Sequence, residues 1–161
     1  MFLISLVVPL LVAQVSVSNP IVQNQQNPLQ LIEQGKRLYQ TKQFSAAVVV
    51  WQQAADIFAK RGDLLNQGMA LSNLSLTHQK LGQWNEAKTA INQSLKLLKN
   101  AEKNSNQQDI FAATLEIKGK LELALGEPVN AFENWQNAQN IYQKNGNKNK
   151  VIQSQINQAQ A

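Results

Sequence analysis

The 161-residue sequence contains no cysteine. A disulfide framework and a thiolate metal site are both excluded, and the missing thiols fit an oxidising compartment as well as any other. Histidine occurs once, at His78, so no imidazole pair exists to hold a metal or relay a proton. His78 takes the place on its helix that Leu38 takes on an earlier one, which points to packing. Ser75 and Thr77 lie close to it in sequence, but near neighbours on a helix point apart and cannot form a triad. Glu116 and Glu122 are six apart and fall on different faces. No stretch alternates as a strand does, so no glycine-rich phosphate loop has a strand to follow. The expectation is a protein that is not an enzyme and carries no cofactor and no metal.

Charge is also scarce. Asp, Glu, Lys and Arg make up 16% of the chain, against about a quarter in an ordinary globular protein. Asn and Gln supply the missing polarity, roughly a quarter of all residues. Only Gln23 to Asn27 approaches an uninterrupted amide tract, so prion-like aggregation is not expected. The net charge is +5, but the lysines and arginines are spread over the whole chain. Nucleic-acid binding needs a basic stripe with stacking aromatics, and aromatics are only 6%; no nucleic-acid partner is expected. Hydrophobic residues reach 43%, enough for one domain built of thin helical layers packed through Ala and Leu.

The one long apolar run lies at the start, from Met1 to Ala13. It is too short to span a bilayer, which takes about 20 residues. It matches the apolar region of a signal peptide, with small residues Ala13, Ser16 and Ser18 near a cleavage point, although no Lys or Arg precedes it. Residues 1–18 read as a signal peptide and 19–27 as a polar linker. The protein is then exported, to a periplasm or outside the cell, with no membrane span after cleavage; without such a signal it is cytoplasmic.

What is present in abundance is a repeat. Gly35, Phe44, Ala47, Trp51 and Ala54 recur as Ser75, Trp84, Ala87, Ile91 and Ser94, and again as Gly119, Ala131, Trp135 and Ala138. In every copy the first small residue lies twelve before the alanine and the last lies seven after it. Small residues on facing helices let two backbones approach, and the large residue one turn past the alanine fills the seam. Caps agree. Asn27–Pro28 starts a first helix to about residue 42, and the second spans about 44–61, ended by Gly62. Asp63 caps a third over about 64–81, and a fourth spans about 84–101. The fifth covers about 107–124, the sixth runs from Pro128 to about 145, and a seventh starts near 148. At an offset of 84, Trp51, Ala54, Ile57, Phe58, Lys60 and Gly62 match Trp135, Ala138, Ile141, Tyr142, Lys144 and Gly146. Residues from Asn147 therefore open a fourth unit, whose Val151, Ile152, Ile156 and Ala159 form an apolar stripe. The helix is a cap, or a half repeat awaiting a partner, or part of a longer chain.

This pattern resembles the tetratricopeptide repeat (TPR). The alanine-to-alanine periods of 40 and 44 exceed the usual 34, and Pro128 stands where Phe44 and Trp84 stand. Longer units are similar to those of kinesin light chains and of bacterial TPR proteins with a caspase-like CHAT domain, the latter particularly through Trp51–Ala54 and Ser72–Ser75. The resemblance implies an all-α fold: a right-handed superhelical TPR solenoid of about three helix–turn–helix repeats plus a half repeat at the C-terminus. Its array spans 28–161, with repeats at about 28–61, 68–101 and 112–145 and a partial one at 147–161. It further implies a non-catalytic interaction module that binds a peptide or protein segment in a concave groove lined by the first helix of each unit. The groove residues are then Lys36, Tyr39 and Gln40, with Ile32; Met69, Ser72, Asn73, Leu76 and Lys80; and Glu116 and Lys120, with Ala113 and Ile117. Asn73 is the foremost candidate, since an amide can both donate to and accept from a peptide backbone. The carboxylate clamp of chaperone-binding TPRs is not expected, because only Asn73 fits it. Two alternatives stand beside this: a recognition arm of a CHAT-type protease-like protein, and self-association through the C-terminal half repeat.

Overall fold

A computed structural model describes residues 27–161. The expected signal peptide and the linker to residue 26 lie outside the described residues. Seven α-helices follow one another, with no strand among the described residues: α1 (Pro28–Gln40), α2 (Phe44–Lys60), α3 (Leu64–Lys80), α4 (Trp84–Asn100), α5 (Ser105–Ala124), α6 (Pro128–Lys144) and α7 (Lys148–Gln158). The architecture is an all-α helical-repeat solenoid. Each helix packs on its neighbours in the chain, and α3 also packs on α5, so every hairpin hides its apolar seam against the next.

Local chemistry sets the boundaries. Asn27 Oδ1 accepts the Leu29 N–H at 3.1 Å and Pro28 occupies the first turn of α1. Asp63 caps α3 by accepting from Asn66 N at 3.0 Å, and Asn147 caps α7. Helix α5 begins at Ser105, two residues before the expected start, because Asn104 Oδ1 accepts the Gln107 N–H at 2.8 Å and draws the intervening residues into the first turn. The turn after each of α2, α3, α5 and α6 places a glycine in the left-handed region, at φ between 68° and 79°. The first hairpin uses Lys42 there instead, at φ 60°. Its bonds are of the same type, Gln43 N to Leu38 O at 2.8 Å and Lys42 N to Tyr39 O at 3.1 Å, the Schellman closure normally reserved for glycine.

The repeated small and large residues meet as pairs. A Cβ on Gly35 would sit 2.7 Å from Trp51 Cε2, and one on Gly119 would sit 2.5 Å from Trp135 Nε1. Each indole thus lies flat against bare backbone. The middle unit has Ser75 where the others have glycine, and Ile91 where they have tryptophan. The smaller aliphatic chain leaves room for the hydroxymethyl group, and Ser75 Oγ donates to the Ala87 carbonyl at 2.8 Å. The alanines Ala47, Ala87 and Ala131 are fully buried, as are Ala54, Ser94 and Ala138 seven residues later. Ser94 Oγ donates to Gly68 O at 2.7 Å, and Gly68 itself admits Leu98, whose Cγ would lie 2.7 Å from an added Cβ.

Candidate functional site

Most of the residues expected in the groove lie on one stripe of each first helix. On α3, Met69, Asn73, Leu76 and Lys80 recur at helical spacing on one face. On α1 the stripe is Lys36, Tyr39 and Gln40, and on α5 it is Ala113, Glu116, Ile117 and Lys120. Two links set α3 beside α5. Thr114 Oγ1 lies 3.2 Å from Ser72 Oγ, and Gln79 Nε2 donates to Ile117 O at 3.3 Å. Ser154 Oγ then donates to Glu116 Oε1 at 2.6 Å, joining α7 to α5.

These links also subtract residues from the surface. Ser72 is buried and engaged with Thr114 in the α3–α5 seam, so its hydroxyl is closed to a partner. Ile32 is 3% exposed within the core formed with Val50, Trp51 and Leu71, and it too is no groove residue. Both lie one position before residues that do reach the surface or its edge, and the α1 and α3 faces turn inward there. Glu116 is half-buried under α7, with one carboxylate oxygen already accepting from Ser154.

The remainder is accessible. Lys36, Gln40, Lys80 and Lys120 are exposed, and Tyr39, Met69, Asn73 and Leu76 are half-buried. Lys36 Nζ is 2.8 Å from Glu33 Oε1, and that hydrogen bond and charge hold the Glu33 carboxyl below its ordinary range. Tyr39 stands edge-on to Phe44, with ring centroids 5.4 Å apart, and burial raises its phenol pKa. Asn73 Nδ2 donates to the Met69 carbonyl of its own helix at 2.9 Å. The amide is thereby held along the stripe, with one N–H already used. His78 Nδ1 lies 2.6 Å from Gln83 Oε1 and ties the end of α3 to the turn before α4. Among the described residues no group of three or more His, Asp or Glu could hold a metal ion.

Open cavities lie elsewhere. One of about 410 Å³ is bounded by Gln52 of α2, Leu71, Leu74 and His78 of α3, and Glu86 and Gln93 of α4. Another, of about 460 Å³, lies where α4, α5 and α6 end or begin, lined by Lys99, Lys103, Gln107, Gln108, Phe111, Ile141 and Lys144. Sequence reasoning missed it because its lysines were read as part of an even spread of charge. The available signal was the lysine in the last turn of each of α2, α4 and α6, at Lys60, Lys99 and Lys144.

No curated protein matches the chain. A family model described as the rapsyn N-terminal myristoylation and linker region matches residues 23–107, which takes in α1 to α4 and the start of α5. That match spans just over half of the chain, and the protein belongs to this family of rapsyn N-terminal regions.

Proposed function

We propose that the protein is a non-catalytic recognition module of TPR type that binds an extended peptide or protein segment along the stripe shared by α1, α3 and α5. The observation that carries this reading is the packing of α3 on α5, through Thr114 with Ser72 and Gln79 with Ile117. Tyr39, Met69, Asn73 and Leu76 are half-buried, a mix of apolar and amide side chains, and Lys36, Gln40, Lys80 and Lys120 are exposed. Such a surface offers apolar contact and amide hydrogen bonds to a backbone. The only histidine is bonded to Gln83, and the reading assigns it no catalytic part. Peptides selected from a displayed library on the wild-type protein provide the test. Asn73→Ala with Lys120→Glu should abolish their capture, while each change costs on the order of 0.5 kcal/mol of stability. Peptides that bind both proteins equally would remove the groove. Export is part of the same reading and rests on Met1–Ala13; N-terminal sequencing of the native protein that finds Met1 retained would remove it.

A second reading, self-association through α7, is favoured by one feature. Ile152 and Ile156 are 55% and 51% exposed, one turn apart on one face. At the repeat offset, Ile152 corresponds to Gly68, the position on α3 that receives Leu98 of the next helix. Light scattering at rising concentration tests it: a strict monomer excludes it, and a dimer that Ile152→Lys with Ile156→Lys dissolves supports it.

A further inference from the structure

The cavity between the end of α4, the start of α5 and the end of α6 carries chemistry that the stripe on α1, α3 and α5 does not use. Three cations surround it. Lys99 projects from the last turn of α4, Lys103 from the link to α5, and Lys144 from the last turn of α6. All three are exposed. The ion pairs among the described residues are Lys36–Glu33, Lys118–Glu122 and Lys150–Asp109, so none of the three lysines is matched to a carboxylate there. Two acids are nearby in sequence. Asp109 is held by Asn145, Asn147 and Lys150, and Glu102 is exposed in the link. The floor is apolar. Phe111 and Ile141 are half-buried and pack on Ala112, Leu115, Ala138 and Tyr142.

The first unit shares only part of this arrangement: Lys60 stands in the last turn of α2 as Lys99 and Lys144 stand in α4 and α6, but Gly62 precedes the α3 cap where Lys103 precedes the α5 cap. A neighbouring cavity, between the start of α3 and the α4–α5 link, is lined by Asp63, Leu64, Leu65, Ala101, Glu102 and Asn104, with two acids and no lysine. A lysine at a helix end also complements the helix dipole, but Lys103 lies outside any helix.

We propose that this cavity is a binding site for an acidic peptide segment that carries one large apolar side chain between its carboxylates. Its volume of about 460 Å³ suits one apolar side chain and its flanking groups, and lies within the ordinary range for ligand pockets. Lysine stems are flexible point charges that reach carboxylates at varied positions, whereas planar phosphate clamps favour arginine. The apolar side chain covers Phe111 and Ile141, and the carboxylates meet the lysines at the rim. This site stands apart from the stripe and does not depend on it.

The probe is a dye-labelled peptide, Glu-Glu-Leu-Glu-Glu, read by fluorescence anisotropy against the whole chain. Saturable binding is expected, weakened at least tenfold in Lys99→Glu with Lys144→Glu and unchanged in Asn73→Ala with Lys120→Glu. The neutral pair Lys99→Gln with Lys144→Gln, with an unchanged circular dichroism spectrum, should give an intermediate loss. Replacing the peptide's leucine by serine should weaken binding several-fold. Equal binding to the charge-reversed variant overturns the proposal, as does loss in the Asn73→Ala, Lys120→Glu variant instead. Absence of binding to wild type also overturns it. So does lysine-dependent binding of phosphatidylserine vesicles in place of the peptide, which would make the partner a membrane surface.

Discussion

The Gly–Trp and Ser–Ile pairs are alternative solutions to one packing problem, and exchanging one for the other is the sharpest test of the repeat. Gly119→Ser alone drives a Cβ to 2.5 Å from Trp135 Nε1, so an indole or a helix must move. Overpacking of this kind costs about 2 kcal/mol, less about 0.5 kcal/mol regained when a helical glycine is replaced. Trp135→Ile alone empties a site that is 1% exposed, at about 3 kcal/mol for a large-to-small change. Independent effects would sum to about 4.5 kcal/mol. The double variant should cost only about 2 kcal/mol, because the serine takes the vacated space and finds the Ala131 carbonyl, as Ser75 finds that of Ala87. Urea unfolding followed by far-UV circular dichroism measures all three, since two of the variants remove a fluorophore. A coupling of about 2.5 kcal/mol corresponds to a difference of about 10 °C in Tm at this size. Additivity within about 0.5 kcal/mol would show that the two positions do not share a seam.

The two buried tryptophans should respond differently to loss of the indole N–H. Trp135 Nε1 donates to Glu116 O at 3.2 Å and Trp51 Nε1 has no partner, so Trp135→Phe should cost about 1 kcal/mol more than Trp51→Phe in the same urea assay; equal costs would refute the assignment. Lys42→Gly should stabilise by about 0.5–1 kcal/mol, because only Lys42 among non-glycine residues described here has positive φ; a loss would mean that its side chain supports the first turn. Acid should loosen the α5–α7 junction through Asp109. Burial alone raises its carboxyl pKa, but the Asn145 amide, the Lys150 charge and the Asn147 amide outweigh burial and hold it below the ordinary range. A depressed carboxyl contributes stability that is complete above the unfolded-state value and lost as pH falls through the folded-state value. Asp109→Asn should flatten that acid limb in thermal melts taken between neutral pH and about pH 3; an identical pH profile would refute the role.

Much of the fold was legible because its signals were redundant. Helix ends were marked by a cap at Asn27 or Asp63 and by a glycine after α2, α3, α5 and α6, and the apolar spacing agreed with both. The start of α5 was misplaced by two residues, because its link carries several polar residues able to cap and no glycine. The face stripes were less legible. Sequence spacing puts Ile32 beside Lys36 and Ser72 beside Asn73. It cannot say which half of a two-sided helix meets the next unit and which meets solvent, since α3 touches α2, α4 and α5 at once. Three neighbours leave little free arc, and Ser72 falls on the wrong side of a boundary one residue wide.

The same reasoning says where recognition should be sought. Positions that recur in every unit do so because every unit must close the same seam; Ala47, Ala87 and Ala131 answer a steric demand and carry no information about a partner. Information can reside only where units differ without a packing reason. Ser75 with Ile91 is a difference that packing explains. Lys103, exposed just before the cap of α5 where Gly62 stands before the cap of α3, is a charge that packing does not explain. Solvent alone would accept either charge at both junctions, and a helix end favours lysine at α2 as much as at α4 or α6. A charge present at one junction of the array and absent from the others offers a ligand a single register, and register is what a stack of near-identical units otherwise lacks.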